Sequence, residues 1–207
     1  MRACHPERSE GPPAYGRWSF LCRGSLAALG MTIVLLAMCA NADTPLQKMI
    51  AGAKSQVGKT RSYDPSYRSI AYPGGDVPLE TGVCSDVVIR AFRRAGLDLQ
   101  VLVHEDMKDN FRAYPRNWGL RAPDRNIDHR RVPNLATFFR RKGRAVTGDY
   151  KPGDVVTWLL APGVHHIGIV SDVRRGNRYL MVHNIGNGAQ LEDMLYSYEI
   201  TGHYRWF

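Results

Sequence analysis

From residue 84 the chain reads Cys-Ser-Asp-Val-Val-Ile-Arg-Ala-Phe-Arg-Arg-Ala-Gly, with Val87, Val88, Ala91, Phe92 and Ala95 recurring at three- and four-residue intervals. That spacing gathers them into one apolar stripe of a helix and turns Arg90, Arg93 and Arg94 the other way. Gly96 stands where such a helix stops, and Asp86 in the first turn suits the positive end of its dipole. Thr44–Val57 has the pattern of a short amphipathic helix, with Pro45 near its start and Gly58 at its end. His104–Tyr114 and Asn134–Lys142 read as further helices, while Leu97–Val103 suits either a short strand or a helical segment. Between them, Thr60–Val83 and Pro115–Arg131 show no sustained period and read as loops. The last third changes character. Asp154–Leu160, His166–Val173, Arg178–His183 and Ile200–Trp206 are β-rich runs separated by Gly, Pro and Asn turns. Helices first and strands afterwards predict an α+β fold in which the helix that starts at Cys84 packs on an antiparallel sheet.

The first 42 of the 207 residues follow a different pattern, expected to be an upstream extension and a signal peptide. Arg17 and Arg23 precede an apolar run from Leu26 to Ala40, and Ala40-Asn-Ala42 has the small-x-small form of a cleavage site. A retained N-terminal anchor is the alternative. Cleavage after Ala42 leaves 43–207 as a single domain, exported to the periplasm or cell envelope, with no stable membrane span. Cys4, Cys22 and Cys39 would leave with the leader, making Cys84 the lone thiol of an exported chain. An odd cysteine there is a free reactive thiol or an intermolecular bridge. At a helix start, the dipole and the orphan amides would push that thiol toward thiolate.

The whole chain carries a net charge of +9, and 18 arginines lie beyond residue 42. Such a surface favours an anionic partner, for which a cell-envelope polymer or peptide is the expectation. Export and the absence of long basic runs argue against nucleic acid. Composition predicts neither a cofactor nor the oligomeric state.

Two histidines accompany the cysteine. His166 opens one strand and His183 closes the next, so an antiparallel hairpin would set them side by side. Cys84 as nucleophile, His166 as base and His183 as the group orienting it make a complete cysteine-hydrolase constellation. His165 would fall on the opposite face of the strand from His166. Asp86, His165, Trp118 and His104 are candidates for substrate contact, the last two lying within an extra segment, Val101–Val132. Cys84, His166 and His183, with His165 as a further ligand, are also acceptable zinc donors, which keeps a zinc-binding protein open. An acyltransferase on the same scaffold and a non-catalytic envelope-binding module remain further alternatives.

These motifs resemble a known group. Gly74-Gly75 in a loop after Tyr72, Cys84-Ser85 at a helix start, Lys151-Pro-Gly-Asp-Val-Val, His166-Ile-Gly-Ile-Val and Val182-His183 are similar to the NlpC-type cell-wall peptidases of the papain-like clan. The fuller set (Gly-Val-Cys-Ser-Asp-Val-Val-Ile-Arg, Asn-Ile-Asp-His-Arg-Arg-Val-Pro-Asn-Leu and Thr-Gly-His-Tyr-Arg) resembles the YijF-like family, a domain of unknown function grouped with that clan. The likeness runs from about Gln47 to the C-terminus. It implies a papain-like fold and an amide hydrolase or peptidase working through an acyl-thioester. Cys84, His166 and His183 would fill the nucleophile, base and orienting positions, with Tyr72 near the oxyanion and no cofactor. The chain departs from the peptidase pattern at Val83, where Asp is usual, and at Asp86, where Gly is usual.

Overall fold

The computed structural model describes residues 42–207; the expected extension and signal peptide lie outside them. Within that part the chain is mixed α and β. Four helices come largely first: α1 (Pro45–Lys54), α2 (Cys84–Arg94), α3 (Leu99–Asn110) and α4 (Val132–Arg141). Two short strands, β1 (Ser62–Tyr63) and β2 (Thr81–Gly82), pair in parallel between α1 and α2. The strands β3 (Val155–Ala161), β4 (Val164–Arg175), β5 (Arg178–Asn184), β6 (Ala189–Glu192) and β7 (Glu199–Tyr204) form an antiparallel sheet in the order β6-β5-β4-β3-β7. No described helix is long and apolar enough to cross a membrane.

Alternation along the strands sorts the sheet's side chains onto two faces. Val155, Ile167, Ile169, Val182 and Tyr204 meet Val87, Val88, Ala91 and Phe92 of α2 and Leu135, Phe138 and Phe139 of α4 in the main core. Each such side chain, fully buried, contributes roughly 1.5–3 kcal/mol. On the other face Val156, Trp158, Val170 and Met181 are covered by Met194 and Leu195, which follow β6, with Tyr150, Leu160, Tyr179 and Ile200 packed against them. The Trp158 indole N–H donates to the Leu195 carbonyl at 3.0 Å and fixes that cover.

Several elements differ from the sequence reading. The ambiguous run Leu97–Val103 joins the next segment in one helix, capped by Asp98, whose side chain accepts from the Gln100 amide. β6 escaped notice because four residues behind a turn rich in Gly and Asn are too few to show alternation. Arg90 does not face solvent with Arg93 and Arg94. It is buried, forks onto Asp76 and donates to the carbonyls of Val77, Pro78 and Thr81. One side chain thus ties the long 60–81 connection down against the start of α2.

Candidate active site

The first turn of α2 is built around Asp86. Its Oδ2 accepts the Val83 amide at 2.7 Å, which caps the helix in place of an N-cap side chain. Arg130 then donates Nε to Oδ1 and Nη2 to Oδ2, both at 2.9 Å, in a bidentate fork. Both side chains are almost fully buried. Ser85 Oγ donates to the Arg130 carbonyl at 2.6 Å, so the 128–130 turn is laid directly against the helix start. Asp86, expected to touch substrate, is therefore an anchor: its carboxylate is consumed by Val83 and Arg130 and reaches no open space.

Cys84 lies at the head of that turn. The β1–β2 pair puts Tyr63 opposite Gly82, and Asn184 at the end of β5 donates its side-chain amide to the Gly82 carbonyl at 3.0 Å. The Tyr63 hydroxyl is consequently directed at the Cys84 sulfur, where the backbone amides of Ile167 and Ser85 also point. These donors favour thiolate, but burial outweighs them and pushes the thiol up to about 11. The expectation of a thiol already ionised by its helix is corrected on this point: at 2% exposure, desolvation exceeds the dipole. Burial and the neighbouring sulfur likewise hold the Tyr63 phenol above its ordinary pKa.

Cys84 lines a cavity of about 470 Å³ together with Tyr63, Tyr67, Trp118, Arg131 and His165. Two predicted contacts, Trp118 and His165, are thus brought to the cavity that the thiol lines. His165 shares the sheet face of Ile167 and pairs in register with Leu159 of β3.

His166 and His183 are brought to each other but not to Cys84. His166 Nε2 and His183 Nδ1 are 3.1 Å apart, and the rings meet edge to face. Alternation places both on the opposite face of the sheet, where the His166 ring lies against Trp158. Glu192 Oε2 lies 3.2 Å from His183 Nε2, near enough for charge attraction but not aligned as a hydrogen bond. Burial, followed by the neighbouring His183, lowers His166 to about 3; burial also lowers His183. His166 as the partner of Cys84 is therefore a correction. The shared motif identified the strand, but one step along it changes the face. The zinc reading meets the same obstacle, because Cys84 and the two imidazoles cannot converge through the sheet. Among the described residues no three His, Cys, Asp or Glu side chains are grouped to hold an ion.

Tyr72 also stands elsewhere. Its hydroxyl donates to Glu105 Oε1 at 2.8 Å and its ring meets His104 edge-on, so both residues belong to the flank of α3 and neither lines the cavity. Tyr63, nine residues earlier, is the tyrosine that reaches the sulfur. The signal for it was available in Tyr63-Asp-Pro, but only the pairing of β1 with β2 shows that this tyrosine turns toward Cys84.

A buried cysteine on a helix that packs against a five-stranded antiparallel sheet defines a mixed α+β protein with one candidate thiol site among the described residues. Residues 50–206 match the model of a domain of unknown function, DUF1287, and the chain belongs to that family. It is 56% identical over 162 residues to the uncharacterized protein YijF of Escherichia coli (strain K12), covering 75% of this chain and 79% of that one.

Proposed function

We propose that the protein is a cysteine-dependent amide hydrolase of the cell envelope, built on a papain-like, NlpC-type scaffold and exported by its N-terminal segment. The observation that carries the reading is a free thiol at a helix N-terminus that opens into a cavity shared with an imidazole and a tyrosine hydroxyl. The raised pKa of Cys84 makes the thiol the resting form, so a base must act at the moment of attack. His165 is that base. It takes the Sγ proton as sulfur adds to the amide carbonyl, and the tetrahedral oxyanion is met by the Tyr63 hydroxyl and the Cys84 backbone amide. The imidazolium returns the proton to the departing amine. Water, deprotonated by His165, then cleaves the thioester and restores the thiol. His166 and His183 stiffen the far side of the sheet in this scheme and touch no reacting atom.

The experiment is digestion of purified peptidoglycan by the full chain, with new amino groups and soluble fragments followed by mass spectrometry. Release by wild type that is lost in Cys84→Ala supports the reading, and equal release by both overturns it. Transfer of the acyl group to an added amine in preference to water would instead mark the acyltransferase.

A further inference from the structure

The walls of the Cys84 cavity are unbalanced in charge. Arg130, Arg131 and His165 line it, and no carboxylate does. Both ends that close it are helix starts: Val83 and Cys84 begin α2, while Arg131, Val132 and Pro133 begin α4. Orphan amides there add to the positive potential. The two arginines are not equivalent. Arg130 is spent on Asp86. Arg131 has an Nη1 that is buried and without a hydrogen-bond partner. Nη1 is turned toward Asp128 Oδ1 at 3.8 Å, while the Arg131 side chain as a whole keeps 18% exposure on the cavity wall.

The guanidinium is also held in position. Arg131 lies over the Trp118 ring at 4.5 Å, and Trp118 is kept there by a left-handed backbone (φ 62°) that is rare for any residue except Gly. The rest of the mouth is aromatic and exposed, with Tyr67 and Trp118 at 59% and 58%.

We propose, resting on Cys84 as the nucleophile of this cavity, that Arg131 is its specificity determinant. It selects amide substrates that carry a carboxylate close to the bond attacked. The exposed part of the guanidinium meets the carboxylate, Trp118 fixes the plane of the fork, and the aromatic mouth covers the apolar part of the same substrate.

Two small reagents of nearly the same shape test this without knowledge of the substrate. Iodoacetate and iodoacetamide both transfer a two-carbon group to sulfur and release iodide, and only the first carries a carboxylate. Their rates are read by mass spectrometry on the Cys84 peptide of the full native chain. The ratio of acetate to amide rate in wild type is expected to exceed that of Arg131→Gln by about fivefold or more, from one charge at close range in a partly buried site. The iodoacetamide rate should stay the same. Arg131→Lys should restore part of the ratio. Arg174→Gln, which removes the same charge far down β4, should leave it as in wild type. A ratio that is equal in wild type and Arg131→Gln, or one that Arg174→Gln lowers as much, overturns the inference and leaves Cys84 in place. Failure of iodoacetamide to label native Cys84 removes the nucleophile itself, and the inference with it. Should Arg131→Gln not fold, salt decides on wild type: a ratio unmoved by added sodium chloride overturns the proposal.

Discussion

The two faces of the sheet hold the same kinds of side chain and arrange them to opposite ends. On the helix face a thiol, an imidazole, a phenol and the Arg131 guanidinium line one cavity. On the far face two imidazoles and a glutamate stand in a row, His166 to His183 to Glu192, beside Trp158, and His183 and Glu192 line a second cavity of about 550 Å³. In the far-face set one ring nitrogen answers the other and burial keeps His166 neutral, while His183 Nε2 has no hydrogen-bond partner. The helix-face set differs in its chemistry: a thiol and a guanidinium, Cys84 and Arg131, stand on the wall of one cavity. Both faces border open volume, but the helix face pairs an attacking atom with a positive wall, which suits it to meet a ligand.

Substitutions can break or sharpen that contrast. The largest effect is expected beneath the helix-face site. Asp86→Ala leaves Arg130 buried without its partner, and stability in urea should fall by about 3–5 kcal/mol; a loss under about 1 kcal/mol would mean that the fork is not the anchor of the α2 start. Next comes the division of labour between adjacent histidines. His165→Ala should reduce turnover by about 100-fold or more while His166→Ala leaves the Cys84 alkylation rate close to wild type. The reverse pattern would move the chemistry to the far face.

Two buried groups on opposite sides of the sheet, His166 and Asp128, should also respond to acid with opposite signs. His166, lowered to about 3, binds its proton more weakly folded than unfolded, so its contribution to stability is present above about 6.5 and lost as pH falls toward 3. Unfolding free energies at pH 7, 5 and 4 should decline by about 1.4 kcal/mol per unit from this residue, and His166→Gln should remove that share of the slope. Asp128, behind the helix-face cavity, is raised to about 6 by burial. Its contribution is therefore present below about 4 and lost as pH rises through about 6. Asp128→Asn should stabilise the chain by about 2 kcal/mol at pH 7 and by almost nothing at pH 4, and equal gains at both would show that Asp128 is not held protonated. The smallest effect belongs to Trp118→Gly, which relieves the left-handed backbone but loses the stacking on Arg131; the change in stability should stay within about 1 kcal/mol while the iodoacetate preference falls.

Local pattern alone determined a good deal of this protein. The three- and four-residue spacing of Val87, Val88, Ala91 and Phe92 specified α2 and its buried stripe, because helical periodicity is written into neighbouring residues. The alternating runs after residue 154 specified an antiparallel sheet, and the spacing of His166 and His183 across one hairpin made them neighbours. Tertiary structure alone decided which face each residue met. A strand places successive residues on opposite sides, so choosing between His165 and His166 requires knowing which side the helices cover, and that depends on packing between segments some eighty residues apart. The same holds for Tyr63 over Tyr72, set by the pairing of β1 with β2, and for Asp86 and Arg130, distant in the chain and spent on each other in the core. Which groups stay free is a property of the whole fold, because a side chain's partners come from wherever the chain returns.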